Sequence, residues 1–204
     1  KRVIVNCGTS TYENGIQRQK ERSTAFHSTV VIDEKNSSEV WNSFRVARRA
    51  KVSDCSEKSS KNLIKLSACH DGYKRLSGKP IHCRTWIFDK NNLTIHDNIK
   101  GNGSHKVESF FHLHPDVKVT NNKKNEVELI FNGNKAFVTF EGKGRLVLDK
   151  STYHNEFGVS INSNKLVIRE TINNNFYVVT IDVIKINGEN KGYIVVSEIA
   201  NDIL

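Results

Sequence analysis

Glu126-Val-Glu-Leu-Ile-Phe131-Asn-Gly-Asn134-Lys-Ala-Phe-Val-Thr-Phe140 sets two short apolar-polar alternations on either side of an Asn-Gly-Asn turn. A period of two sends successive side chains to opposite faces of an extended chain, and Asn-Gly supplies the positive φ that a tight antiparallel connection requires. The pattern recurs: strands are expected at 28–33, 44–52, 62–69, 81–88, 105–113, 126–131, 135–140, 145–149, 164–170 and 176–184. Asp71-Gly72, Gly101-Asn-Gly103, Gly142-Lys-Gly144 and Asn187-Gly188 mark further turns. No segment of helical length keeps a 3.6-residue apolar period, so the expected fold is all-β, a large antiparallel β-sandwich with few or no helices. The polar run 54–61 is expected to be an exposed loop, and the basic run 121–125 a loop dividing two sheet-forming halves.

With 204 residues and 37% hydrophobic content the chain can bury a substantial core, and its length suits one large β domain. A formal charge of +9 favours polyanionic partners: nucleic acid, anionic lipid headgroups or acidic polysaccharide. No nucleic-acid-binding motif or aromatic platform accompanies that charge, so nucleic acid is not expected as a partner. No apolar stretch has the length of a membrane span. The chain contains no methionine, which leads us to expect a mature product, a cloned domain or a piece of something longer. Cys7, Cys55, Cys69 and Cys83 lack the spacing of a zinc ribbon or redox motif. Separate half-buried thiols are expected, with disulfides open if the protein is exported.

Candidate site residues follow from charge and spacing. Arg18, Lys20 and Arg22 crowd a polar, glycine-containing segment where arginine's planar fork can hold carboxylate or sulfate, or where the charges simply face solvent. Within the strand expected at 44–52, Arg45, Arg49 and Lys51 share one face, suited to anion recognition, to docking or to solvation. Arg48 falls on the other face with Phe44, Val46, Ala50 and Val52 and is expected to meet an acid such as Asp33 or Glu39, or to project into a domain interface. Trp41 is a candidate for stacking on sugar or for the core. His112 and His114 share a strand face, as do His82, Arg84 and Trp86. Without a third ligand, a polar lining or a structural pair is expected rather than a metal centre.

Several pieces occur in a particular order: Val5-Asn-Cys-Gly-Thr-Ser-Thr-Tyr12, Arg22-Ser-Thr-Ala-Phe-His27-Ser-Thr-Val-Val-Ile-Asp33, Phe44-Arg-Val-Ala-Arg-Arg49, His70-Asp-Gly-Tyr73, His82-x-Arg84, Phe111-His-Leu-His-Pro115 and Tyr153-His-Asn-Glu-Phe-Gly158. This order resembles the carboxyl-terminal β-sandwich of the heparinase II/III-like polysaccharide lyases. The resemblance implies a supersandwich-like domain spanning 1–204, packed against an upstream helical toroid. It further implies acidic polysaccharide as partner, β-elimination at a uronate as activity, and a periplasmic or secreted location. It offers Tyr12 as catalytic candidate, with a hydroxyl that donates or accepts. It places His27 where the family binds a structural zinc, yet Asn6 stands at the family's aspartate and Ser28 at its asparagine. A neutral amide ligates zinc poorly, so no cofactor is expected and His27 is read as a hydrogen-bonding residue. The competing reading is a non-catalytic module that holds a polyanion on its basic face.

Overall fold

A computed structural model describes residues 2–89, 92–173 and 178–188. Among them run twelve strands: β1 (Val30–Ile32), β2 (Val52–Ser60), β3 (Leu63–His70), β4 (Ile81–Asp89), β5 (Asn92–Lys100), β6 (His105–His112), β7 (Lys118–Lys123), β8 (Glu126–Phe131), β9 (Asn134–Glu141), β10 (Arg145–Tyr153), β11 (Ile161–Ile172) and β12 (Val178–Gly188). The helical elements are α1 (Ile16–Glu21) and a 3-10 turn at Thr24–Phe26. A four-stranded sheet, β1-β6-β11-β10, faces an eight-stranded sheet, β2-β3-β4-β5-β12-β9-β8-β7. The all-β sandwich expected from periodicity is the fold observed.

The hairpin β8–β9 shows why. Phe131 pairs with Asn134 across Asn132 and Gly133, at φ 51° and 73°, as the Asn-Gly turn requires. Val127, Leu129, Ala136 and Val138 then face inward together. They meet Leu93 and Ile95 from β5, and Phe111, Leu146, Leu166 and Ile168 from the small sheet, in the main core between the layers. On the outer face of the small sheet, Val31, Phe110 and Val167 are covered by Ala25, so the amino-terminal segment forms part of a third layer.

Several elements differ from expectation. Residues 44–51 form no strand: Glu39 and Val40 meet Val46, Ala47 and Arg48 through scattered bonds, and Phe44 is 69% exposed. Most of this segment lies exposed or half-exposed, so the apparent alternation finds no apolar face to bury. Arg48 does meet Glu39, at 3.1 Å. The polar run 54–61, expected as a loop, lies largely in β2, an edge strand exposed along nearly its whole length. With water on both faces it needs no apolar alternation, and pairing with β3 holds its backbone. The basic run 121–125 is the end of β7 and its turn into β8. It divides nothing, since strands from both halves enter both sheets. The strand β5 escaped notice because Asp97 interrupts its inward series Leu93, Ile95 and Ile99. Of the strand expected at 176–184, residues 176 and 177 lie outside the described ones.

Eight strands opposite four leave the β2–β3 end of the large sheet overhanging. The irregular chain from 33 to 51 crosses that end. Gly72 lets it pass, since a Cβ there would stand 2.6 Å from the Ser37 carbonyl oxygen. Tyr73 fastens the crossing by donating its hydroxyl to the Val30 carbonyl at 2.6 Å. Cys69 and Cys83, directly opposite on β3 and β4, form a disulfide, whereas separate thiols were expected. Sequence spacing does not report the register that brings them together. Cys7 and Cys55 stay thiols.

Candidate functional site

Beneath the crossing chain lies a cleft of about 740 Å³ between the amino-terminal segment and the inner face of β3, β4 and β5. Its floor is polar. Asp97, fully buried, accepts from His82 Nε2 at 2.6 Å and from Arg84 Nε and Nη2, each at 2.7 Å. Burial alone would push this carboxyl up, but Arg84 and then His82 outweigh it and hold Asp97 well below the usual carboxylate range. The hydrogen bonds around it run one way. The Gly72 N–H donates to His70 Nδ1 (3.2 Å), so His70 carries its proton on Nε2 and gives it to His82 Nδ1 (3.1 Å); His82 donates onward from Nε2 to Asp97. The Gly72 N–H thereby fixes the tautomer of His70. Burial first, then the neighbouring His82 and Arg84, push His70 down to about 3.

The wall above the floor is cationic. Arg18, Arg22 and Arg49 line the cleft, and none meets a carboxylate within ion-pair distance among the described residues. Arg22 donates to the Asn42 carbonyl and, at 3.5 Å, to that of Arg45. Its guanidinium is held below its ordinary value by burial, then by the positive charges of Arg18 and Arg49. Three arginines thus share one wall at a mutual electrostatic cost, an arrangement that an anion relieves.

Tyr12 stands at the rim, 53% exposed, in a second and more open depression with Lys20, His154 and Phe157. Its ring meets Phe157 edge-on at 4.6 Å, and the Arg18 guanidinium lies 4.9 Å from its centre, linking the depression to the cationic wall. The segment carrying Tyr12 is positioned by Gly8, at φ 77°, which bridges to His154 so closely that any Cβ would collide with the His154 carbonyl. Arg45, expected beside Arg49, instead lies over the exposed Trp41 ring at 5.0 Å, outside the cleft.

His27 lines the cleft and takes the Asn6 amide N–H on Nδ1 at 2.8 Å, while Asn6 Oδ1 accepts from the Gly8 N–H at 3.2 Å. A neutral amide and a ring nitrogen already engaged by it do not fit a zinc centre. Among the described residues no three His, Cys, Asp or Glu side chains stand close enough to hold a metal. His112 is buried, donating Nε2–H to the Ala25 carbonyl (3.0 Å) and accepting from Ser151 (2.9 Å) on Nδ1. Burial pushes it down to about 3. His114 accepts the Asp116 N–H at 3.2 Å. These two histidines fasten chain segments.

Asp97, beneath the floor, and Glu21, with its side chain buried behind the lining, are the carboxylates that sequence reasoning passed over. For Asp97 a signal existed, its place two residues from Ile95 and Ile99 on an inward face.

Two antiparallel sheets of unequal width, with a cation-walled cleft at the overhang, define a large β-sandwich domain. The chain belongs to the heparinase II/III-like family, whose carboxyl-terminal domain matches residues 1–180. Similar solved structures include the heparan sulfate lyase HepC from Pedobacter heparinus (TM-score 0.71, 17% identity), which covers 90% of this chain and 28% of its own. A heparinase III with methylated lysines is also similar (TM-score 0.71, 16% identity, 91% and 28%). So is a further heparinase III structure (TM-score 0.58, 16% identity, 81% and 24%). The chain therefore spans about a quarter of the length of these structures, and the likeness is one of fold. No curated protein matches it. No helix among the described residues is long and apolar enough to cross a membrane.

Proposed function

We propose that this chain is the β-sandwich half of a lyase that cleaves acidic, uronate-containing polysaccharide by β-elimination. The observation that carries this reading is the convergence of Arg18, Arg22 and Arg49 on one wall, with no carboxylate within ion-pair distance among the described residues, in a domain of this family. β-Elimination removes the proton at C5 of the uronate, and the barrier falls when the adjoining carboxylate is neutralised as carbanion character develops. The three guanidinium groups serve that neutralisation. An acid must then protonate the leaving glycosidic oxygen, and Tyr12, at the rim beside Arg18, has the hydroxyl for it. His70 and His82 are committed to their own hydrogen bonds and do not supply the base, which we assign to an upstream helical toroid forming the opposite wall. The Cys69–Cys83 disulfide supports an exported protein, periplasmic or secreted. We read His27 as a partner of Asn6 rather than a zinc ligand; stoichiometric zinc in the full-length protein, lost on replacing His27, would reverse this.

The test is an ultraviolet assay for unsaturated uronate product, using the natural full-length polypeptide and a panel of acidic polymers. Tyr12→Phe is expected to lower turnover by about 100-fold or more, the scale of general acid catalysis. Undiminished turnover removes Tyr12 from the catalytic set, and no product from any uronate polymer refutes the lyase reading. Polymer retained without product would instead favour a polyanion-binding module, the reading suggested by a cleft whose histidines are all engaged.

A further inference from the structure

We propose that the open depression around Phe157 is a second sugar subsite, which holds the residue that departs in the elimination, with its ring stacked on Phe157. The inference rests on the lyase reading above and adds to it where the far side of the broken bond lies.

The depression measures about 870 Å³ and is lined by Tyr12, Phe157, Gln17, Lys20 and the hydroxyl-bearing Thr152 and Ser160. Phe157 is 57% exposed, and its neighbour Tyr12 lies 6.0 Å from a third exposed ring, that of Phe44. Adjoining rings left in water are unfavourable, and a patch of them marks a surface that is covered in use. The platform is preset. The Gly158 N–H donates to the Ser10 carbonyl at 2.8 Å and the His154 N–H to the Cys7 carbonyl at 2.6 Å, so the chain at 154–158 is fastened to the segment that carries Tyr12.

The chemistry of the rim indicates what covers it. Its fixed charges, Lys20 and Glu13, are opposite in sign, whereas the neighbouring cleft carries three arginines. Hydroxyl and amide groups surround the rings. An uncharged sugar matches this lining, because its C–H groups lie on the ring faces and its hydroxyls at the edge. Position then gives the role. Arg18 lines the arginine cleft and its guanidinium lies 4.9 Å from the centre of the Tyr12 ring, so the cleft, Tyr12 and the depression are continuous. In the elimination the C5 proton passes to the base and the C4–O bond breaks. The electron pair of that bond stays on the oxygen, which takes the proton of Tyr12, and a C4=C5 double bond remains on the uronate. With the uronate carboxylate on the arginines and Tyr12 at the leaving oxygen, the departing sugar falls beyond Tyr12, on Phe157.

The deciding variant is Phe157→Ala, made in the natural full-length polypeptide and assayed on a uronate polymer that wild type cleaves. KM is expected to rise by about tenfold with kcat little changed, and Phe157→Trp, which restores a ring, to bring KM back. An oligosaccharide whose terminal uronate carries only a methyl ether at O4 leaves the depression empty, so as a competitor it should inhibit wild type and Phe157→Ala with the same constant. Melting curves should coincide, because the ring is exposed. An unmoved KM on the polymer, or a loss shared by the competitor, overturns the inference while the lyase reading stands. So does a fall in kcat at constant KM, which would make Phe157 a support for Tyr12. A lowered melting midpoint at constant KM overturns it too, and would assign the rings to an interface with the upstream domain. If wild type forms no product from any uronate polymer, the lyase reading falls and takes this inference with it.

Discussion

Replacing Asp97 by asparagine strikes the fully buried carboxylate that lies beneath the cleft floor and holds the lining residues His82 and Arg84. The wild-type carboxylate accepts three short bonds, two from Arg84 and one from His82. Asparagine keeps one oxygen and sets an NH2 group where the other was, facing a guanidinium or imidazole N–H that can only donate. Arg84, whose side chain is 8% exposed, then loses the carboxylate it is paired with. Breaking a buried ion pair from one side costs about 3–5 kcal/mol. In a chain of this length that lowers the unfolding midpoint by about 6–20 °C. The assay is urea and thermal unfolding followed through tryptophan fluorescence, since Trp86 lies on β4 two residues from Arg84. Replacing both partners with apolar residues, Arg84→Met with Asp97→Leu, should recover most of the loss, because no orphaned charge remains. A loss below about 1 kcal/mol for Asp97→Asn, or a double variant less stable than the sum of its singles, would refute the reasoning.

Three further outcomes are expected. The buried His70 and His112, each pushed down to about 3, take up protons in the unfolded chain first, near its ordinary value of about 6.5. Stability is therefore full above about pH 6.5 and falls toward about pH 3, by up to about 1.4 kcal/mol per pH unit for each histidine. Asp97, depressed instead, adds its own loss only below about pH 4, and a flat urea midpoint from neutral pH to about pH 5 would contradict the assignment. Cys69→Ser with Cys83→Ser, which opens a loop of sequence separation 14, should cost about 3 kcal/mol in urea unfolding. Arg22→Ala and Arg49→Ala should each weaken retention on an immobilised acidic polysaccharide by roughly tenfold, while Arg45→Ala, outside the cleft, changes it little.

The fold was legible where sequence and burial share a period. The β8–β9 hairpin could be read directly because its inward residues are apolar, its outward ones polar apart from Ile130 and Phe137, and its turn needs Asn-Gly. Residues 44–51 misled because arginine can alternate with apolar residues without any sheet to receive it. The strand β2 stayed hidden for the opposite reason: solvent on both faces erases the alternation that marks a strand. At the site, Arg18, Arg22 and Arg49 were legible as charges, and the structure draws them onto one wall while leaving Arg45 outside. Asp97 was not, because its partners Arg84 and His82 lie on the neighbouring strand and only register shows that they face it. Glu21 was not, because a glutamate among charged residues on a short helix gives no sign that one of its oxygens is sealed away.

The small sheet's attachment also dictates an order of assembly. The pairs β2–β3, β3–β4, β4–β5, β7–β8, β8–β9 and β10–β11 join strands adjacent in sequence and close short loops. By contrast β1 reaches β6 only by bringing Val30 to Ser109, and β12 must insert between β5 and β9. Distant pairings form late, because their loop-closure entropy is lost before any contact compensates it. Residues 9–29 and 33–51, which roof the cleft, flank β1. The arginine wall is thus completed only when β1 docks, and an undocked β1 would leave the hairpins folded and the anion site dispersed. The arginine wall is therefore expected to form after the hairpins and to be lost before them.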